Sequence, residues 1–265
     1  MAPTVPCTGV RFPLSDQGVP VPLVEAARAG DAAAVRDLVG ARGADANVAS
    51  ARDGTALHAA SRGGHAAVIR VLLRVPGVDA DRPFRGVSPL HLASLEGHAE
   101  AVEALLEAPL RVDVNVRAHD GMAPLHWAAL RGDAAVAEAL IATPGIDANA
   151  VNRHGRTPLH MASREGGTHA QVVKVLLAAP GIDVNRTNPA GWTPLHYACR
   201  AHCAKTAALL VAAGADPDRR DARGWTPLDA ACSTHGDSDA CILAIKRTLA
   251  DAELVATCKV LLHAA

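Results

Sequence analysis

A four-residue unit recurs along this chain at an almost fixed interval, and that recurrence excludes most folds before any helix or strand is considered. The copies are Thr55-Ala-Leu-His58, Ser88-Pro-Leu-His91, Ala123-Pro-Leu-His126, Thr157-Pro-Leu-His160, Thr193-Pro-Leu-His196 and Thr226-Pro-Leu-Asp229, and they begin 33, 35, 34, 36 and 33 residues apart. A degenerate copy, Val21-Pro-Leu-Val24, precedes the first by 34 residues. A constant period of this size means one supersecondary unit stacked on copies of itself, each burying its apolar face against its neighbours.

One unit can be read in detail. Ser88 is suited to cap a helix and Pro89 to begin it, where a missing N–H costs nothing. The helix runs from Pro89 to about Glu96 and Gly97 ends it. A second helix, near Ala99 to Glu107, carries Val102, Leu105 and Leu106 at helical spacing. Stretches such as Gly145 to Asn149 and Gly181 to Asn185, Gly-Ile-Asp-x-Asn, then make a turn followed by an extended hairpin. Helices this short are marginal alone, so stability must come from the stack.

The period and the Thr-Pro-Leu-His-x-Ala core closely resemble the ankyrin repeat, and the resemblance covers residues 21–265. It implies an all-α dominated solenoid of about seven helix–turn–helix repeats with hairpin loops, starting near 21, 55, 88, 123, 157, 193 and 226. Residues 1–20, rich in Pro and without periodicity, are expected to be a tail or an N-terminal cap. Arg111 stands where a turn glycine is usual, after an extra Leu110, and two residues are added around Gly167-Thr168. The last repeat diverges most. A helical insertion at about 234–252, with Ile242, Leu243, Ile245 and Leu249 apolar, is expected to cap the stack before Val260-Leu261-Leu262.

Composition fits thin, closely stacked elements. Hydrophobic residues make up 49% of the chain, yet there are only two Phe, one Tyr and three Trp. The formal net charge of -1 gives no long-range field for nucleic acid or an anionic membrane. No apolar run reaches the length of a spanning helix. The first residues lack the basic and apolar regions of a signal peptide. Five of the six cysteines lie beyond residue 198, which is no secreted disulfide framework. A cytoplasmic protein is expected, with the nucleus as the alternative.

Histidine and cysteine are the residue types here that could supply chemistry. The resemblance implies that His58, His91, His126, His160 and His196 join a hydrogen-bond network between repeats. His65, His98 and His169 sit where such repeats carry Gly-His before the second helix. Cys199, His202, Cys203, Cys232 and His235 have zinc-like residue types, but Cys199 and Cys232 occupy the slot that holds Ser61, Ser94, Ala129 and Ser163 in other copies. Helices pack about 8–10 Å apart, whereas zinc holds sulfur at about 2.3 Å. Small thiols filling a helix-packing slot are the better account, and no metal or cofactor is expected. Phosphate-loop, dinucleotide, zincin and nucleophile-elbow motifs are absent from the sequence, so no catalytic residue is assigned.

The resemblance implies a groove formed by hairpin tips and first helices, and the rare aromatics map to it. Trp192 and Trp225 immediately precede the tetrad threonine. Trp127, Met161 and Tyr197 immediately follow the tetrad histidine. Arginines collect at the same positions, among them Arg131, Arg156, Arg164, Arg200 and Arg223, while acids such as Glu100, Glu103 and Glu107 fall on an outer helix. Aromatics and arginine are favoured binding hot spots. These ten residues are therefore the expected contact set for another protein, an acidic extended or helical segment, held by a chain acting as adaptor or scaffold. Two alternatives stay open: a regulatory subunit or inhibitor of a partner enzyme, and a nucleic-acid binder using the arginines, against which the neutral charge counts. No small-molecule substrate is expected.

Overall fold

The computed structural model describes residues 21–107, 112–165 and 169–235, together with Arg247 and Ala250. Each tetrad opens a short helix, and the first six such helices are each followed by a second one packed against it. The pairs are α1 (Pro22–Ala29) with α2 (Ala32–Gly40), α3 (Ala56–Arg62) with α4 (Ala66–Leu72), α5 (Pro89–Glu96) with α6 (Ala99–Leu106), α7 (Pro124–Arg131) with α8 (Ala134–Ile141), α9 (Pro158–Arg164) with α10 (Ala170–Leu177), and α11 (Pro194–Arg200) with α12 (Ala204–Ala212). The last described helix is α13 (Pro227–His235). First helices pack on first helices from α1 through α13, and second helices on second helices from α2 through α12. The result is the expected helix-dominated repeat stack in two layers.

Sequence explains why each first helix starts where it does. The hydroxyls of Thr55, Ser88, Thr157 and Thr193 accept the backbone N–H of the histidine three residues on. In return the Nδ1 of each histidine accepts the backbone N–H of the capping residue. This is a capping box in which histidine takes the usual Glu or Gln place. Ala123 has no hydroxyl to offer, although His126 Nδ1 still accepts its N–H at 3.1 Å. Thr226 and Asp229 close on themselves, with both the N–H and the hydroxyl of Thr226 donating to Asp229 Oδ2 at 2.8 Å.

Because Nδ1 is an acceptor, the ring proton of these histidines sits on Nε2, which faces the following repeat. There it donates to the backbone carbonyl just before the next tetrad: His91 to Met122, His126 to Arg156, His160 to Trp192 and His196 to Trp225, at 2.9–3.2 Å. Desolvation in these buried sites pushes His58, His126 and His160 down to about 4 and lowers His91 and His196. The Gly-His histidines work in the opposite direction. His65, His98 and His169 reach back to the carbonyls of Arg28, Arg62 and Leu130. Gly64 adopts φ +71°, and a Cβ there would lie 2.8 Å from the His98 ring, so both backbone and space require glycine.

Leucine fills the interior at one register position per repeat. Leu57, Leu90, Leu125, Leu159 and Leu195 are buried in the first-helix layer, and Leu72, Leu105, Leu140, Leu176 and Leu210 in the second. The alanines Ala60, Ala93, Ala128, Ala162 and Ala198 are fully buried and let the helices approach closely. Cys199 occupies the slot of Ser61 and Ser94, and burial, with Cys232 nearby, pushes its thiol up to about 12. Cys203 caps α12, its sulfur bonded to Thr206. Both thiols thus have packing or capping roles.

The loops turn back on themselves with little regular strand. Only β1 (Ala49–Ser50) and β2 (Gly54–Thr55) pair as strands among the described residues. Phe84 and Val87 form an isolated antiparallel bridge, and at three later tips Oδ1 of Asn152, Asn188 and Asp221 each takes two backbone N–H groups of its own loop. A second set of asparagines joins successive tips. Asn47, Asn115, Asn149 and Asn185 each donate to a glycine carbonyl and accept an aspartate N–H of the next repeat. Asp81 stands at that position in one repeat and accepts the Asp113 N–H alone. The N-terminal 1–20 segment, Leu110-Arg111, the additions around Gly167-Thr168 and all but the first two residues, Arg247 and Ala250 of the 234–252 insertion lie outside the described residues.

Candidate functional site

A cleft of about 590 Å³ opens across three consecutive first-helix units. Arg156, just before α9, and Arg164, at its end, form one wall; the loop residues Asn188, Ala190 and Trp192 lead into Tyr197, Arg200 and Ala201 of α11; and Asp221, Ala222 and Arg223, before α13, close the other side. The repeat period places these elements side by side, so residues about 35 positions apart become neighbours.

Its floor is a small aromatic cluster. The Trp192 and Tyr197 rings meet edge to face at 5.0 Å, Trp192 stacks on His196 at 5.8 Å, and Tyr197 lies edge-on to His160 at 5.8 Å. Hydrogen bonds fix both rings. The Asn188 side chain donates to the Tyr197 hydroxyl at 3.0 Å, and the Trp192 indole N–H donates to Asp221 Oδ2 at 2.9 Å. Desolvation would raise the Asp221 carboxyl, but the N–H groups of Trp225 and Arg223 and the Trp192 indole outweigh it and hold the group below its usual value. This carboxylate is therefore ionised and occupied by the fold.

Guanidiniums lie over these rings. Arg156 sits 5.5 Å above Tyr197 and Arg200 5.4 Å above Trp192, while Arg223 lies 5.6 Å over Trp225. Such cation–π contacts hold the cation through the ring face and leave N–H groups available. The Arg156 Nε is buried without a hydrogen-bond partner. Other arginines of the loops and first helices are committed elsewhere: Arg62 to Asp53, Arg82 to the Asn47 carbonyl, Arg117 to the Gly121 and Val151 carbonyls, and Arg220 to the Gly224 carbonyl.

Of the ten expected contact residues, the structure brings six together: Arg156, Arg164, Trp192, Tyr197, Arg200 and Arg223. The other four stand apart from the cleft lining. Trp127 is half-buried on α7 and packs against the core, its indole nitrogen buried without a hydrogen-bond partner. Met161, at the same register position on α9, is only 6% exposed. Arg131 is exposed at the end of α7. Trp225 is 36% exposed beside the cleft rather than in it. Asn188 and Asp221 line the cleft without belonging to the expected contact set; both stand five residues before a tetrad threonine, where Asn152 stands too.

A family model described as "Ankyrin repeats" matches the chain in three copies, over residues 23–118, 109–188 and 171–254. The chain belongs to the ankyrin-repeat family. Solved ankyrin structures are similar over most of its length. The ankyrin repeat domain of Bcl-3, described as a unique member of the IkappaB protein family, is 26% identical with a TM-score of 0.73, the match covering 86% of this chain and 98% of that one. The human ASB11 ankyrin repeat domain is 30% identical with a TM-score of 0.71, again covering 86% of this chain and 98% of that one. No curated protein sequence matches the chain. Ankyrin repeat domains generally mediate protein–protein interaction. No helix of the described residues is long and apolar enough to cross a membrane.

Proposed function

We propose that this ankyrin chain is an adaptor or scaffold that holds a partner protein segment in the cleft around Trp192 and Tyr197, with no catalytic step of its own. The observation that carries this reading is the set of guanidiniums over an aromatic floor. Among the described residues, Arg156, Arg200 and Arg223 have no carboxylate within salt-bridge distance and donate no side-chain hydrogen bond. Arginine and aromatics in a pre-formed recess are the residue types that dominate binding energy at interfaces. The excess of cations favours a segment of acidic character, and the neutral whole-chain charge disfavours nucleic acid. The free cysteines Cys199, Cys203 and Cys232 suit a reducing compartment, the cytoplasm or the nucleus.

The test compares partner capture by the intact chain with that by an Arg200→Glu, Arg223→Glu double variant. Both side chains are exposed, so the fold should persist. Capture is expected to be lost with an unchanged circular dichroism melt; retention of the same partners would place the binding surface elsewhere. Trp192→Ala is a poorer probe, because its indole bond to Asp221 belongs to the stack. The likeness to Bcl-3, described as an IkappaB family member, favours a second reading, a regulator that covers its partner's working surface. Adding the purified chain to the partner's activity assay separates the two.

A further inference from the structure

The charges in the cleft specify more than acidic character. Four guanidiniums line it: Arg156, Arg164, Arg200 and Arg223. Two carboxylates offset them. Glu165 lies against Arg164 at 3.4 Å, and Asp221 accepts three N–H donors of the fold and meets no guanidinium within salt-bridge distance among the described residues. The balance is about two positive charges facing one recess. A peptide carboxylate brings one negative charge and two acceptor oxygens. A phosphomonoester brings roughly -1.5 to -2 charges at neutral pH and three acceptor oxygens, which matches both the charge and the number of unpartnered arginines.

We propose that the cleft is a receptor for a phosphorylated side chain carried on the partner segment. The inference rests on the protein-binding reading of the same cleft and narrows it. Arg156, Arg200 and Arg223 approach from three successive repeats, and two of them are held over the rings of the floor, Arg156 over Tyr197 and Arg200 over Trp192. Arginine held in place by stacking loses little further freedom when its fork meets phosphate oxygens. The alanines Ala190, Ala201 and Ala222 keep the rim low, so a segment can lie across it while one side chain enters.

Fluorescence anisotropy with oriented peptide libraries tests this. The libraries are identical except for one fixed central residue: phosphoserine, phosphothreonine, phosphotyrosine, glutamate or unmodified serine. At least one phosphorylated library is expected to bind about tenfold or more tightly than the glutamate library, in line with the stronger bonding of charged forks to phosphate. Arg200→Glu should remove that preference, and Arg131→Glu, outside the cleft, should leave it. Equal binding of phosphorylated and glutamate libraries, both lost in Arg200→Glu, would overturn the phosphate inference while keeping the protein-binding cleft. Binding that Arg200→Glu does not change, or no binding by any library, would remove both. A single-stranded RNA oligomer that outcompetes every peptide and depends on Arg200 would also overturn it, in favour of nucleic acid.

Discussion

Trp192 and Asp221 are joined across a repeat boundary: the indole N–H of one unit donates to Oδ2 of the next at 2.9 Å. The bond explains why aspartate, and not asparagine, stands at position 221. At this loop position Asn152 and Asn188 close their turns with Oδ1, as Asp221 does. Asparagine would then present an NH₂ group to the Trp192 indole, donor against donor, whereas aspartate presents an acceptor.

Asp221→Asn is accordingly expected to destabilise the chain by about 1 kcal/mol, the usual effect of losing a hydrogen bond at a part-buried site. Trp192→Phe should recover part of that loss in the double variant, and urea midpoints of the four proteins measure the coupling. Because the folded-state carboxyl of Asp221 is held low, its contribution is present above the unfolded value and fades as pH falls through the folded one. Asp221→Asn should lack that acid-side component.

Histidine gives a larger pH dependence. His58, His126 and His160 are held at about 4 in the folded chain, against about 6.5 when unfolded. Between those values the unfolded chain binds protons that the folded chain refuses. Stability is therefore full above about pH 6.5 and falls as pH drops toward 4, by an amount on the order of a few kcal/mol for each histidine. Denaturant midpoints between pH 7.5 and 4.5 follow this, and an unchanged midpoint at pH 5 would show that these rings are not buried and neutral.

Ala123 leaves one helix without the hydroxyl that its counterparts supply. Ala123→Thr should restore the bond to the His126 N–H and stabilise by about 1 kcal/mol. Calorimetry reads this as a higher Tm; a lower one would mean that the buried site does not accept the added atoms.

Asp81 is the complementary case. It stands where Asn47, Asn115, Asn149 and Asn185 stand in other tips, and burial, with Asp113 and Asp79 nearby, raises its carboxyl. A raised carboxyl destabilises the fold at neutral pH relative to acid. Asp81→Asn keeps the acceptor for the Asp113 N–H and removes the charge, so a gain of roughly 0.5–1 kcal/mol is expected at pH 7, shrinking as pH falls toward 4. A loss of stability at pH 7 would contradict it.

The helices, their caps and the leucine layers were legible in the sequence because each depends on spacing within a single unit. Thr157 with His160 is a contact three residues long, written in the tetrad itself. The cleft was legible only in part. Trp192, Tyr197 and four arginines could be placed by register, but register could not tell Arg200 over a ring from Arg62 paired with Asp53, although both occupy the same position in their repeats. Which cation is free depends on the loop of the same or the next unit. Trp127 and Met161 share Tyr197's register yet stand apart from the cleft for the same reason, since only Tyr197 has Arg156 above it and Trp192 at its edge. Asn188 and Asp221 carry no such signal, since Ser50, Pro83, Ala118 and Asn152 stand five positions before the other tetrads and only the contacts to Tyr197 and Trp192 mark these two.

The forward-reaching histidines give the stack a grammar. The Nε2–H of His91, His126, His160 and His196 is an open clause that the next unit completes, whereas the Thr226 unit, with Asp229 turned back on its own threonine, has no such demand to make. The units are therefore not interchangeable. Shuffling them would leave composition and hydrophobic pattern intact, yet with the Thr226 unit set ahead of any of the others the donor from its tetrad to the carbonyl before the following one would be missing.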